Sequence, residues 1–190
     1  RFERIADDIV DVHLRSPLAR TRLPERSTFA TSSCGVCGKV SIESLRVRAA
    51  PIESAVRVPA DVVAALPDAL RAQQSVFDCT GGLHAAGLFS PEGNLWVGRE
   101  DVGRHNAVDK VVGWALAAGR LPATDALLCV SGRLSFEIVQ KAIAARVPLV
   151  AAVSAPSTAA VDLAREFGVT LCGFVRAGRF NCYTHAHRVC

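Results

Sequence analysis

The sequence predicts an α/β domain whose mostly parallel sheet is covered by helices on both faces. Three observations predict it. From residue 105 onward, helical apolar spacing alternates with short apolar runs: HNAVDKVVGWALAA (105–118), ALLCV (126–130), SFEIVQKAIAAR (135–146), LVAAV (149–153), STAAVDLAREF (157–167) and TLCGFV (170–175). The runs between the helices are apolar throughout, as strands buried on both faces are. The order strand–helix–strand–helix–strand joins parallel neighbours by crossovers. Half of the 190 residues are hydrophobic and 21% are charged, which is enough to bury a core and excludes a disordered chain.

The earlier elements follow in order. Residues 5–15 (IADDIVDVHLR) fit strand or helix. Residues 16–33, with Pro17, Pro24 and many Ser, Thr and Arg, read as a long exposed connection into Cys34. Residues 40–48 suit a short helix. Pro59 and Pro67 each stand where a first helical turn tolerates proline, so two helices are expected, over DVVAAL and DALRAQQSVF. HAAGLF, the turn Ser90–Asn94 and LWVGRE read as a hairpin. Gly168 ends the last helix, and FNCYTHA (180–186) is placed to pair with TLCGFV. The expected organisation is an N-terminal connection over 1–30 and an α/β domain over 31–190. With no methionine, even at position 1, the chain is expected to be a fragment or processed form that lacks an N-terminal segment.

No unbroken run of 18 apolar residues occurs, so no transmembrane helix is expected, and the first residues carry no signal-peptide core. Seven cysteines without a secretory signal point to free thiols in a reducing cytoplasm. Cys129 and Cys172 sit in apolar runs, as small buried hydrophobes do. Net charge is +4. Residues 1–96 carry 11 basic and 11 acidic residues; residues 97–190 carry 11 and 7. All but three of the basic residues are arginines, whose forked donors match phosphate oxygens. The bias is too weak for duplex DNA, and no basic run occurs, so a nucleic-acid partner is not expected.

In open α/β sheets, ligands bind outside the carboxyl ends of the strands. The turns expected there are Asp101–Arg104, Ser131–Arg133, Ser154–Ser157 and Arg176–Arg179. All are small and polar, and three carry arginine. Three lead into helix N-termini, where unpaired N–H groups attract anions. A phosphate-bearing ligand is expected at this edge. Within Glu100–Lys110, Asp101 can cap the helix, and His105 and Asp109, four apart, can face one site. The glycines of TGGLHAAG (80–87) permit close backbone approach.

Cys34-Gly35-Val36-Cys37 is the sharpest chemical motif. Thiolates are the reactive form, and Lys39 and accessible amides at Gly35 and Gly38 favour one here. Two cysteines so spaced can close a disulfide, bind a metal or pass a sulfur atom between them. Zinc needs two further ligands, and no second CxxC or suitable His pair is present, so no structural metal is expected. A thioredoxin motif opens a helix after a strand, whereas this pair follows a polar loop. A mobile CxxC loop suits a carrier that visits two partners.

TSSCGVCGK (31–39), TGGLHAAGLF (80–89), REDVGRHNAVDKVVG (99–113), VSGRLSFEIVQKA (130–142), VSAPSTAAVDLA (153–164) and GFVRAGRFNCYTH (173–185), in that order, resemble the formate dehydrogenase accessory sulfurtransferase family, FdhD. The resemblance runs from about residue 25 to 187 and implies a cytoplasmic homodimer that acts as a sulfurtransferase. It implies a three-layer α/β/α fold with a mixed sheet, similar to cytidine deaminases. Cys34 would accept sulfur from a cysteine desulfurase as a persulfide, with Cys37 as second cysteine. The recipient would be molybdenum bis(molybdopterin guanine dinucleotide), a bound substrate destined for formate dehydrogenase. Phe174, Val175, Arg176, Ala177, Gly178 and Arg179 would bind that cofactor, and the edge reading adds Arg133 and Ser154. The resemblance carries over no role for Cys79, Cys182 or Cys190. A hydrolytic deaminase is disfavoured, because His84 is followed by Ala85-Ala86 and lacks the H-x-E proton carrier. A chaperone that binds the cofactor without sulfur chemistry is the alternative.

Overall fold

The computed structural model describes residues 2–6, 9–13 and 49–190, which fall in two compact units, Arg1–Val40 and Ser41–Cys190. In the first, β1 (Phe2–Ala6) and β2 (Ile9–Val12) pair antiparallel, with Phe2 opposite Val12. The ambiguous N-terminal pattern therefore resolves as strand. The connection expected over 16–33, the CxxC loop with Cys34 and Cys37, and the helix expected over 40–48 lie outside the described residues.

The second unit follows the order α1 (Ala60–Arg71), α2 (Ser75–Thr80), β3 (His84–Phe89), β4 (Leu95–Asp101), α3 (Arg104–Ala117), β5 (Leu127–Val130), α4 (Phe136–Ala145), β6 (Leu149–Ala152), α5 (Thr158–Glu166), β7 (Thr170–Arg176) and β8 (Arg179–Thr184). The six strands form one sheet in the order β4-β3-β5-β6-β7-β8. Only β5, β6 and β7 run parallel; β3 and β4 on one side and β8 on the other are antiparallel to their neighbours. The mostly parallel sheet expected from the helix–strand alternation is thus a parallel centre between antiparallel flanks. The flanks arise because β3–β4 and β7–β8 are joined by short turns, which only antiparallel strands allow.

Alternation along the central strands sorts their side chains onto two faces. Leu127, Cys129, Leu149, Ala151 and Cys172 pack with Val63, Leu66 and Leu70 of α1. Leu128, Val130, Val150, Ala152 and Leu171 pack with buried residues of α3, α4 and α5, among them Val108, Ile138 and Leu163. Burial on both faces explains why these strands carry no polar alternation. Burying each leucine contributes about 1.5–3 kcal/mol, so the two faces dominate the stability of the unit.

Two helices parted at Pro67 were expected; two form, but the break falls at residues 72–74, so DVVAAL and DALR share α1 and SVF begins α2. Pro59 is the N-cap of α1, and Pro67 lies inside it. Proline removes the bond to the carbonyl four residues earlier, at a cost near 3 kcal/mol. The buried stripe of Val63, Leu66 and Leu70 spans the proline and holds the helix together across it.

The C-terminal segment is tied down by a buried cation. Arg188 is 3% exposed. Its guanidinium donates to the carbonyls of Ile52 and Gly168, at 3.2 and 2.8 Å, and to Thr170 Oγ1 at 3.2 Å. Val58 donates to the Arg188 carbonyl, and Ala60 to that of Cys190. Gly168 adopts φ +73°, and a Cβ there would come within 2.7 Å of the Ile52 carbonyl oxygen. Glycine is required twice over, for the left-handed backbone and for the close approach. Gly168→Ala should therefore destabilise the chain by more than the roughly 1–2 kcal/mol of the left-handed penalty alone; urea unfolding would measure it.

Candidate functional site at the carboxyl edge of the sheet

The carboxyl ends of β5, β6 and β7 lie along one edge. β3 runs antiparallel to β5, so its first residue, His84, reaches the same edge, and the end of β4 at Asp101 pairs with it. All the turns singled out in the sequence therefore gather there. Two of them are fastened together: Leu134 donates to the Ala155 carbonyl, and Ser157 donates to that of Leu134. This bridge continues the parallel pairing beyond β5 and β6.

Between this edge and the helices α1 and α2 lies a cavity of about 560 Å³. Ser131, Val153 and Arg176 bring to it the ends of all three parallel strands. Gly82 and His84 contribute the start of β3, and Arg71, Gln74 and Phe77 form the facing helical wall. Its size and its mixture of apolar surface with few polar groups suit a small ligand or one end of a larger one. Ser131 Oγ is held at 2.8 Å by the amide of Ala85. A Cβ on Gly132 would lie 3.3 Å from His84 Nδ1, so the bare backbone of this turn lets the imidazole lie close. Arg71 pairs with Asp78 and its guanidinium sits 4.9 Å over the Phe77 ring, leaving it partly neutralised.

Phe174 to Arg179, the stretch singled out for cofactor binding, forms the β7–β8 hairpin tip. The ladder is interrupted between Gly173 and Arg176, and Phe174 and Ala177 both adopt positive φ, 54° and 50°. Non-glycine residues pay for such conformations, which cluster at functional positions. Val175 is buried, whereas Arg176, Ala177, Gly178 and Arg179 are exposed. The Arg176 guanidinium lies 5.9 Å from the Phe174 ring. Phe174 N–H donates to the Ser154 carbonyl at 3.2 Å, which binds the tip to the β6–α5 turn. Gly173 makes this approach possible: a Cβ would meet Pro156 Cδ at 2.9 Å. Val175, Arg176 and Ala177 line the cavity; Arg179, Gly178 and Phe174 line a second, open depression with Arg176 and Ala177. Arg133 is exposed on the β5–α4 turn. Neither Arg133 nor Ser154 lines the cavity, so the structure brings only part of the expected set together.

Among the three helix mouths only that of α5 is capped by a side chain, and Asp101 does not cap α3 as expected but bonds the amide of its N-cap residue. At α3, Asp101 Oδ1 already accepts from the Gly103 N–H at 2.8 Å, and its Oδ2 holds Lys110 Nζ at 2.7 Å. Lys110, followed by the Gly103 amide, holds the Asp101 carboxyl below the ordinary aspartate range. At α5, Ser157 Oγ accepts from the Ala160 N–H. His105 and Asp109 both engage the α4 region: His105 Nε2 is 3.0 Å from Ser135 Oγ, and Asp109 holds Lys141 Nζ at 2.5 Å. Burial, and then Arg104, keep the His105 imidazole below its ordinary value. Glu100 has a role the sequence did not reveal. Its two carboxylate oxygens accept from the amides of Phe77 and Val76, at 2.8 and 3.0 Å, so β4 anchors the first turn of α2. Arg71, Gln74 and Phe77 were also missed, because helix residues outside any motif carry no sequence signal of a wall.

Fold and site together define an α/β domain with a cavity at the carboxyl ends of its parallel strands. The chain belongs to the FdhD/NarQ family, whose model matches residues 3–190. It is 53% identical over 185 residues to the sulfur carrier protein FdhD of Nocardia farcinica, covering 96% of this chain and 65% of that one. It is 56% identical over 168 residues to the sulfur carrier protein FdhD of Streptomyces avermitilis, covering 87% of this chain and 60% of that one. The chain thus spans about two-thirds or less of the length of these relatives. The fold is similar to the crystal structure of a protein from Desulfotalea psychrophila provisionally described as a formate dehydrogenase accessory protein. The TM-score is 0.70 at 28% identity, over 78% of this chain and 62% of the other.

Two predictions follow from this geometry. Glu100→Ala should release the start of α2, so that the Val76 and Phe77 amides exchange faster with solvent while stability falls by only about 1 kcal/mol; hydrogen exchange and urea unfolding read the two effects. Because the Asp101 value is depressed in the fold, its stabilisation is complete above the ordinary value of 3.8 and is lost as pH falls through the folded value. Asp101→Asn should cost up to about 1 kcal/mol at neutral pH, and the difference should shrink as the pH falls below the ordinary aspartate range, as measured by denaturation across pH.

Proposed function

We propose that this chain is a sulfur carrier that accepts sulfane sulfur on Cys34 from a cysteine desulfurase and delivers it to molybdenum bis(molybdopterin guanine dinucleotide) for the maturation of formate dehydrogenase. The observation that carries the reading is the cavity at the joint carboxyl edge of β5, β6 and β7, bounded by Ser131, His84 and Arg176. An edge of this kind receives nucleotide and phosphate groups in open α/β sheets. The names of the relatives from Nocardia and Streptomyces support sulfur carriage.

In this reading the Cys34 thiolate attacks the outer sulfur of the donor's persulfide. A new S–S bond forms at Cys34, the donor's S–S bond breaks, and the donor cysteine leaves as thiolate. Cys37 is the neighbouring thiol. The substrate carries two pyrophosphate-linked guanosines, and the cations at the edge answer that charge: Arg176 at the cavity, Arg179 on the hairpin tip and Arg133 on the next turn. The carbonyl of Ser154 and the positive-φ backbone of Phe174 and Ala177 set the shape of that tip. The carrier works in the reducing cytoplasm, where persulfide chemistry is kept from structural disulfides, and as a homodimer.

Incubation of the chain with a cysteine desulfurase and cysteine should add about 32 Da at Cys34, removed by reductant. Cys34→Ala should abolish the gain and the activation of formate dehydrogenase while the protein still binds a guanine nucleotide. Full activation by the Cys34→Ala variant would instead identify a chaperone that binds the cofactor without carrying sulfur.

A further inference from the structure

Cys172 and Cys182 stand directly opposite each other on β7 and β8. Directly opposed residues of an antiparallel pair have Cα atoms about 4.5–5.5 Å apart, inside the roughly 4.4–6.8 Å window of a disulfide. Both side chains belong to the face that packs on α1, so they point the same way. Both are free thiols; Cys172 is buried and Cys182 partly exposed. One of the pair is therefore reachable from solvent, and the other waits behind it. We propose that Cys172 and Cys182 form a redox-active cross-strand dithiol that reacts with low-molecular-weight disulfides and closes to an intramolecular disulfide without using Cys34 or Cys37.

The environment distinguishes the two sulfurs. A hydrogen bond with the Cys172 thiol holds the Cys182 value below that of an ordinary cysteine, against the opposing effect of burial. The same contact and burial push Cys172 up. Cys182 is thus the attacking thiolate. It attacks one sulfur of the small disulfide; that S–S bond breaks, and the first small thiol leaves. Cys172 then attacks Cys182 Sγ, its proton passing to the second departing thiolate. The two cysteines lose two electrons and two protons in total, and the small disulfide becomes two thiols. Closure would tie β7 to β8 within the hairpin whose tip is Phe174–Arg179.

The test is equilibration of the chain with oxidised glutathione, followed by alkylation, digestion and mass spectrometry. The expected product is a peptide linking Cys172 to Cys182, about 2 Da lighter than its reduced parts. It should form equally in the Cys34→Ser/Cys37→Ser variant. Cys172→Ala should stop the reaction halfway, with glutathione trapped on Cys182, and Cys182→Ser should leave Cys172 unmodified. If Cys172→Ala fails to fold, the linked peptide of the unmutated chain still decides. The proposal fails if exposed Cys79 and Cys190 become fully glutathionylated while Cys172 and Cys182 are recovered as separate alkylatable thiols.

Discussion

Parallel strands cannot be joined by a tight turn, and most of the second unit follows from that constraint. β5, β6 and β7 run parallel, so the chain must cross the sheet between them, and it does so through α4 and α5. Each crossover returns to the same starting side, which leaves the carboxyl ends of all three strands on one edge. The site is a consequence of this topology: Ser131, Val153 and Arg176 are far apart in sequence and meet because each follows or ends a parallel strand. The antiparallel flanks add to the same edge the start of β3, and the β7–β8 turn reverses there.

Bringing backbone segments so close requires residues that occupy little space. Gly173 lets β7 approach Pro156, and Gly132 lets its turn approach the His84 ring. These are backbone permissions rather than chemical groups, and they convert the edge from a row of separate turns into a connected wall. The hydrogen bonds from Phe174 to Ser154 and from Leu134 to Ala155 then fasten that wall without using side chains. Polar side chains at the edge are left to face the cavity or to anchor the neighbouring helices, as Glu100 anchors α2.

The parallel centre and its helices were legible because burial on both faces leaves a continuous apolar signal, as in ALLCV and LVAAV. The hairpin of β3 and β4 was legible from its turn residues. Pro67 misled because a local rule about proline was outweighed by a buried stripe, Val63, Leu66 and Leu70, that only tertiary packing reveals. For the site, the turns were legible as small, polar, arginine-bearing segments, and the family motifs coincided with them. The helical wall of Arg71, Gln74 and Phe77 was not, since those positions read as an ordinary amphipathic helix until the sheet edge is placed opposite them. The partners of His105 and Asp109 were not legible, because spacing on one helix says which residues are neighbours but not that Ser135 and Lys141 are placed opposite them.

The arginine surplus of the second half also acquires a physical division. Arg188 is spent inside the fold on carbonyls, and Arg146 binds the carbonyls of Ala50 and Pro51. Arg120 stacks 4.4 Å over Trp96, and Arg165 pairs with Asp162. Lys110 and Lys141 are matched by Asp101 and Asp109. Among the described residues, no carboxylate pairs with Arg133, Arg176 or Arg179, and all three stand on turns at the carboxyl edge. A net charge of +4 is too small to announce an anion site by itself. Of these three, Arg176 lines the cavity and Arg179 the neighbouring open depression. At physiological ionic strength charges beyond about 8 Å are largely screened, so the field at the cavity is set by Arg176 and its near neighbours more than by the net charge of the chain.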